Sequence, residues 1–140
     1  MNISPHTALV FGSGQVAQEL SRANVPGWKI VVTPRSSVDI CCLKAVQEAM
    51  KARNYSVVIN AAAFTDVKES EKQPEKCLSV NRDGAANIAI VASETSIPML
   101  HLSTDYVFDG HKKDYYFEQD AANPKNVYGV SKLAGENKIR

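Results

Sequence analysis

Tyr128 and Lys132 stand four residues apart, so a helix over this segment would bring both side chains to one face. A phenol with a pKa near ~10 is a poor proton carrier at neutral pH, but a neighbouring ammonium stabilises the phenolate and lowers that pKa. The pair could then donate a proton to a ketone oxygen while a hydride donor reduces the carbon. Because this spacing is common by chance, an exposed helix pair is the alternative for these two residues alone.

A second group of polar side chains, Ser103 to Gly110, follows an apolar run at 98–102 that predicts a strand. Ligands of doubly wound sheets bind at the carboxyl ends of the strands, where this segment would lie. The Thr104 hydroxyl could therefore hydrogen-bond the same carbonyl oxygen that Tyr128 protonates. By itself the segment is also typical of a strand-end turn that serine and threonine cap.

A glycine turn lies between the first predicted strand and the first predicted helix and reads Gly12-Ser13-Gly14-Gln15-Val16-Ala17. It fits the G-x-G-x-x-G/A pattern, in which the first glycine permits a tight turn and the second lets the backbone approach a pyrophosphate. The following helix N-terminus offers free N–H groups to the phosphates. Glycine turn, hydroxyl segment and Tyr–Lys pair, in this order, are far more specific than any one of them. They favour a nicotinamide-dependent reductase.

The end of the second predicted strand bears on which cofactor is used. An acidic residue about 20 residues past the glycines holds the ribose of NAD, whereas an arginine nearby suits the 2′-phosphate of NADP. Here the chain reads Thr33-Pro34-Arg35-Ser36-Ser37 and has no carboxylate before Asp39. Arg35 and the two serine hydroxyls could clamp a phosphate. The prediction is NADP(H), with NAD(H) as the alternative if Arg35 is only a solvated side chain.

Apolar runs alternate with amphipathic stretches along the chain. They predict strands at 7–11, 30–32, 56–59 and 98–102, and helices over 15–23, 43–52, 75–94 and from about Tyr128. In the first helix, Val16, Leu20 and Ala23 share one face. Four strands joined by crossover helices imply an α/β fold with a doubly wound parallel sheet, Rossmann-like, in one domain over residues 1–140. Residues 133–140 still read as helix interior, so the chain looks cut short.

Composition argues against several classes of partner. With 44% hydrophobic and 22% charged residues and a net charge of +1, the chain favours neither a nucleic-acid nor a membrane partner. No run approaches the ~20 apolar residues of a membrane span, and residues 1–6 lack a signal-peptide pattern. Cys41, Cys42 and Cys77 suggest neither a disulfide framework nor a zinc site. A cytoplasmic protein without a metal site is the expectation. His101 is interpreted as a core or edge residue rather than a catalyst.

Several longer segments carry a family resemblance. They are Asn60-Ala61-Ala62-Ala63-Phe64-Thr65, Val80-Asn81, Ser103-Thr104-Asp105-Tyr106-Val107-Phe108, and Asn126-Val127-Tyr128-Gly129 through Lys132-Leu133-Ala134-Gly135-Glu136. On these segments the chain resembles the dTDP-4-dehydrorhamnose reductases, within the extended short-chain dehydrogenase/reductase superfamily. The resemblance runs from the glycine turn to the last residue.

The resemblance implies NADPH-dependent reduction of the C4 ketone of dTDP-4-dehydro-β-L-rhamnose to dTDP-L-rhamnose for cell-surface polysaccharide. Tyr128 would donate the proton, and Lys132 would be its partner and a ligand of the nicotinamide ribose. Thr104 would complete the catalytic group and, with Asp105, contact the sugar. The expected cofactor-binding residues, besides Arg35, Tyr128 and Lys132, are Gly12, Ser13, Gly14, Gln15 and Val16 at the pyrophosphate, Asp39 and Ile40 at the adenine, and Ala63, Phe64 and Thr65 along the cofactor.

The chain also departs from the family pattern. Its glycine turn is one residue shorter than the usual G-x-x-G-x-x-G, Lys68 replaces an aspartate, and the family's C-terminal portion, which completes the nucleotide-sugar pocket, is absent. Without that portion the chain is expected to be at best a weak reductase, because substrate positioning contributes roughly 7–11 kcal/mol at best. Oligomeric state and metal dependence stay open.

Three alternatives accompany this interpretation. The first is a non-catalytic NADP-binding regulatory subunit resembling the methionine adenosyltransferase β subunit, which shares the segment D-Y-V-F-D-G found here at 105–110. The intact set of Thr104, Tyr128 and Lys132 argues against it. The others are a different nucleotide-sugar reductase or epimerase of the same superfamily and a truncated product without function.

Overall fold

The computed structural model describes residues 6–140, so most of the segment tested for a signal peptide, residues 1–5, lies outside it. Four strands form one sheet: β1 (His6–Phe11), β2 (Trp28–Thr33), β3 (Val57–Asn60) and β4 (Met99–His101). Their order is β2-β1-β3-β4, and every pair is parallel. The predicted doubly wound α/β sheet is confirmed.

Helical segments connect the strands. In chain order they are α1 (Gln15–Arg22), α2 (Leu43–Lys51), α3 (Val67–Lys72), α4 (Pro74–Leu78), a π-helical turn (Ser79–Gly84), α5 (Ala85–Thr95), a 3-10 turn (Asp105–Val107) and α6 (Val127–Ile139). None of the helices within residues 6–140 combines the length and the hydropathy needed to cross a bilayer.

The order of the strands fixes the two faces of the sheet. The chain moves one way from β1 to β2 and the other way from β2 to β3, and right-handed crossovers in opposite directions place their helices on opposite faces. α1 therefore lies on one face, and α2, α5 and α6 lie on the other, where α5 contacts both of its neighbours. The reversal between β1 and β3 is the point at which such sheets bind ligands.

The core lies around β1, which is covered on both faces. Leu9 and Phe11 pack with α2 and α5 in a cluster that includes Val46, Met50 and Ile88, all at most 1% exposed. Ala8 and Val10, which alternate with Leu9 and Phe11 along β1, are also buried. This explains why the strand reads as a continuous apolar run rather than an alternating one.

The structure differs from the helical pattern of the sequence at two places. The helix expected over 75–94 is interrupted by the π-helical turn, which inserts one extra residue per turn where α6 packs against it. In α1 the buried residue is Ala17, whereas Val16 is 49% exposed and Ala23 is also exposed. The small Ala17 allows the close helix–strand packing that the glycine motif requires.

Candidate active site

The glycine turn leaves β1 directly against the end of β3. Gly12 has φ +130°, a conformation that L side chains rarely adopt, and a Cβ there would lie 2.8 Å from the Ala61 carbonyl oxygen. Gly14 has nothing within 4 Å of its own Cβ position and is the N-cap of α1, without a side-chain cap. The turn therefore presents free N–H groups to open space, as a pyrophosphate site requires.

An open cleft at the carboxyl edge of the sheet joins this turn to the ends of β2 and β3. It is lined by Gly12, Ser13, Gly14, Arg35, Val38, Asp39, Ile40, Ala61, Ala62, Ala63, Phe64, Thr65 and Val80. Nine of the residues expected to bind a cofactor are in this set, whereas Gln15, Val16, Tyr128 and Lys132 are not. The glycine turn offers free N–H groups that suit a pyrophosphate, and Arg35 offers a cation that suits a further phosphate. The residues present therefore fit a dinucleotide cofactor.

Arg35 and Asp39 lie at the β2 end of the cleft. The Arg35 guanidinium is 3.7 Å from the Asp39 carboxylate, and the Arg35 side chain is 64% exposed. The backbone N–H of Cys41 donates to Asp39, which with Arg35 holds the pKa of this carboxyl below its ordinary value. Arg35 keeps N–H donors that Asp39 does not use, whereas the Asp39 carboxylate oxygens already face the Cys41 N–H and the Arg35 guanidinium. This arrangement favours an anionic group at the β2 end of the cleft over a ribose diol.

Asn81 connects the far wall of the cleft to the helix that carries the Tyr–Lys pair. Its side-chain oxygen accepts from Phe64 N at 2.8 Å, and its amide nitrogen donates to Phe64 O at 3.0 Å and to Ser131 Oγ at 2.9 Å. Ser131 Oγ in turn donates to the Tyr128 carbonyl. In the sequence Asn81 contributes only to the family resemblance, and its place inside the π-helical turn is visible only in the structure.

Lys132 is 2% exposed, although lysine is almost never fully buried without a partner. Its ammonium donates to the Leu102 carbonyl oxygen at 2.5 Å, the one hydrogen bond that it makes within residues 6–140. Burial lowers the pKa of Lys132, and Glu136 opposes that shift. Two of its three N–H donors are thus available to other acceptors.

Tyr128 lies in the first turn of α6, in a defined position. Asn126 caps the helix by accepting from Gly129 N at 2.7 Å, and Glu71 accepts from Val127 N at 2.8 Å. The half-buried Tyr128 ring lies edge-on to Tyr106, with ring centroids 5.4 Å apart. The phenol is therefore held beside the segment that follows β4.

Thr104 and Asp105 follow β4, as expected, but their side chains interact locally. Thr104 Oγ1 accepts from Tyr106 N at 3.2 Å, which caps the 3-10 turn, and lies 3.3 Å from an Asp105 carboxylate oxygen. The alternative of a capped strand-end turn thus describes this segment. Thr104 is only partly buried, so its hydroxyl is still accessible to a ligand.

Carboxylates order the loop after the 3-10 turn, where Asp120 accepts from Phe117 N and Lys112, and Asp109 binds three further groups. Asp109 accepts from the backbone of His111, from the Tyr116 hydroxyl and from Asn123. These hydrogen bonds lower the pKa of Asp109 to about 2. Phe108 stacks on Tyr116 with centroids 4.3 Å apart, which fixes the loop beside the 3-10 turn.

Substituting Gly14 tests the cleft without disturbing the fold. We expect Gly14→Ala to leave the free energy of unfolding within about 1 kcal/mol, because its φ is −74° and the new Cβ meets no atom. We expect NADPH to bind about tenfold more weakly, because the methyl group would occupy the space that a pyrophosphate needs. Fluorescence titration and denaturant unfolding measure the two quantities.

Gly12→Ala is the matched comparison, because its Cβ would meet the Ala61 carbonyl and its φ is positive. That variant should lose both stability and NADPH binding. Unchanged NADPH affinity in Gly14→Ala would contradict a pyrophosphate at this turn.

Comparison with known proteins places this chain in a family. Residues 6–140 match the family model described as RmlD substrate binding domain. The chain is 38% identical over 124 residues to a dTDP-4-dehydrorhamnose reductase of Sinorhizobium fredii, covering 89% of this chain and 42% of that protein. It is 37% identical over 137 residues to the Escherichia coli protein of the same name, covering 94% of this chain and 46% of that protein.

A solved structure of a protein with the same name is also similar to this chain. The dTDP-4-dehydrorhamnose reductase of Bacillus anthracis, crystallised in complex with NADP, superposes with a TM-score of 0.95 at 29% identity. The match covers 99% of this chain and 50% of that chain. This chain thus spans less than half the length of the two curated relatives and half that of the solved structure.

Proposed function

The chain belongs to the dTDP-4-dehydrorhamnose reductase family, and from that premise we propose that it binds NADP(H) and takes part in reducing the C4 ketone of dTDP-4-dehydro-L-rhamnose. The observation that carries the proposal is the open cleft at the carboxyl edge of the sheet, which joins the glycine turn to Arg35 after β2. The buried Lys132 lies outside this cleft and is bound by the carbonyl of Leu102, which follows β4 at the same edge of the sheet. A reducing cytoplasm suits the free cysteines found among residues 6–140.

The chain's own residues divide the chemistry among them. The cofactor, when bound, supplies the hydride. Tyr128 donates a proton to the substrate oxygen, and the Lys132 ammonium stabilises the phenolate that results. The hydrogen bond to the Leu102 carbonyl holds Lys132 in place, so that its remaining donors reach the phenol and the nicotinamide ribose. Thr104 hydrogen-bonds the substrate oxygen, and Asp105 contacts the sugar.

Cofactor choice depends on Arg35. We expect the chain to bind NADPH more tightly than NADH, and Arg35→Asp to weaken NADPH binding by about tenfold or more, roughly 1.4 kcal/mol. The reason is that the guanidinium is the cation at the β2 end of the cleft, and aspartate would place a second carboxylate beside Asp39. Fluorescence titration with each cofactor makes the measurement.

Arg53→Asp is the matched control, because Arg53 is exposed and follows α2 at the opposite edge of the sheet. It reverses the same charge and should leave both affinities unchanged. If Arg35→Asp binds NADPH as the unsubstituted chain does, the 2′-phosphate is not held by Arg35. If neither cofactor binds, the chain does not form the proposed site. NADPH binding without any reduction of the sugar would support the cofactor site and contradict the proposed part of this chain in the reduction.

A further inference from the structure

His101 closes β4 on the side of the cleft, and the proposed reaction does not use it. Its Nδ1 lies 3.1 Å from the amide nitrogen of Asn60, which ends the neighbouring strand β3. Its Nε2 is buried and has no hydrogen-bond partner within residues 6–140. A half-buried histidine with a buried, unpartnered ring nitrogen at a ligand-binding edge calls for a physical explanation.

The orientation of the Asn60 amide decides which ring nitrogen carries the proton. Asn60 Oδ1 accepts from the Ala62 backbone N–H at 3.1 Å, so the amide nitrogen is the atom that faces His101. An amide nitrogen only donates, so His101 Nδ1 must accept. If the His101 ring is neutral, its proton is therefore on Nε2. If the ring is a protonated imidazolium, both of its nitrogens are donors and neither can accept from the Asn60 amide.

The surroundings of the ring favour its neutral form. Lys132, from α6, is the charged group that acts on His101, and Asn60, from β3, is its polar neighbour. Burial, and then the lysine charge, lower the pKa of His101 to about 4. A neutral ring also leaves the Lys132 ammonium without a second buried cation beside it.

The hydrogen-bonded chain ends at the floor of the cleft. Ala61, Ala62 and Ala63 line the cleft, and the missing Cβ of Gly12 would lie 2.8 Å from Ala61 O and 3.0 Å from Ala62 N. The position of the Ala62 N–H therefore sets how closely the glycine turn and the end of β3 approach each other. The next residue after His101, Leu102, provides the carbonyl that binds Lys132.

We propose that His101 is a positioning residue: as a neutral imidazole with its proton on Nε2, it holds the Asn60 amide and, through it, the Ala62 backbone N–H that shapes the cofactor cleft. The assignment of the proton concerns the free protein. The consequence for NADPH rests on the proposed function.

The proton position is measured first, in the unsubstituted chain without cofactor. Two-bond proton–nitrogen correlation spectra of the 15N-labelled chain distinguish the two neutral tautomers and the imidazolium. We expect His101 to be neutral at pH 7, with Nε2 protonated and Nδ1 bare. A proton on Nδ1, or a ring that titrates near its ordinary pKa of about 6.5, would overturn the inference.

Variants test the connection to the cleft. Asparagine places a polar atom near the position of Nδ1, whereas glutamine places one near Nε2. His101→Asn should therefore keep the Ala62 amide protected from hydrogen exchange and bind NADPH within about threefold of the unsubstituted chain. We expect His101→Gln and His101→Leu to lose that protection and to bind about tenfold more weakly. Thermal unfolding curves of all the variants identify a temperature at which every variant is folded, and the exchange and binding measurements are made at that temperature.

The two proposals fail in different ways. If the unsubstituted chain does not bind NADPH, the proposed function fails, while the tautomer and the exchange of the Ala62 amide still decide the role of His101. If His101→Gln protects Ala62 as well as His101→Asn does, or His101→Leu leaves it protected, His101 does not position Asn60.

Discussion

Replacing Tyr128 with phenylalanine should slow reduction of the dTDP-keto-sugar by about 10²–10⁴-fold, the usual contribution of a positioned proton donor. Phenylalanine keeps the ring and its edge-on contact with Tyr106, so the loss isolates the hydroxyl group. Although Tyr128 is also expected to contact the cofactor, its hydroxyl is only one of the many groups expected to do so, and the affinity for NADPH should therefore change by less than about threefold. The rate is measured as product formed in the presence of NADPH, relative to the unsubstituted chain.

Tyr115→Phe is the matched control for the loss of a phenol, because Tyr115 is 81% exposed. Its rate should equal that of the unsubstituted chain. A normal rate in Tyr128→Phe would remove Tyr128 from the reaction. A lower rate that follows entirely from lost NADPH affinity would make Tyr128 a cofactor ligand instead of the proton donor.

The second large effect is expected in the fold, at Gly135 in the middle of α6. A Cβ at this position would lie 2.2 Å from the Asn81 backbone carbonyl oxygen, so either the helix or the π-helical turn must move. We expect Gly135→Ala to lower the free energy of unfolding by roughly 3 kcal/mol, at the upper end of overpacking costs. Denaturant unfolding measures the change.

The sign of this effect makes the test decisive, because alanine is a better helix former than glycine by about 1 kcal/mol. On propensity alone, Gly135→Ala would stabilise α6. Asn137→Ala is the control on the same helix: Asn137 is exposed, and its replacement should stabilise the protein by a few tenths of a kcal/mol. If Gly135→Ala is at least as stable as the unsubstituted chain, α6 does not pack against Asn81 as closely as described.

Local pattern was sufficient for the four strands and their order along the chain, but it did not predict α3 (Val67–Lys72). Continuous apolar runs predicted all four strands, because the sheet is covered by helices on both faces. The glycine turn was predicted from Gly12 and Gly14, and the structure gives Gly12 a backbone conformation that glycine adopts easily. The alternation of strands and helices then allowed few topologies, since crossovers between parallel strands are right-handed.

The details of the site depended on contacts that no local pattern encodes. The π-helical turn interrupts a helix that periodicity extends from 75 to 94, because α6 packs closely against it. Likewise, helical spacing groups Val16 with Leu20 and Ala23, whereas α1 turns the small Ala17 toward the sheet. The residue types in these two helical segments are compatible with more than one helical arrangement, and tertiary packing selects the one observed.

The amino-acid sequence by itself determined the fold class, the glycine turn and the spacing that brings Tyr128 and Lys132 to one face of a helix. Each of these can be predicted from residue patterns that lie within short stretches of the chain, although the strand pairs themselves join distant residues. Only the tertiary structure decided the burial of Lys132 against Leu102, 30 residues away. It also decided the clamp of Asn81 on Phe64 and the contact between His101 and Asn60, because hydrogen bonds of buried groups are fixed by whichever partners packing brings within reach.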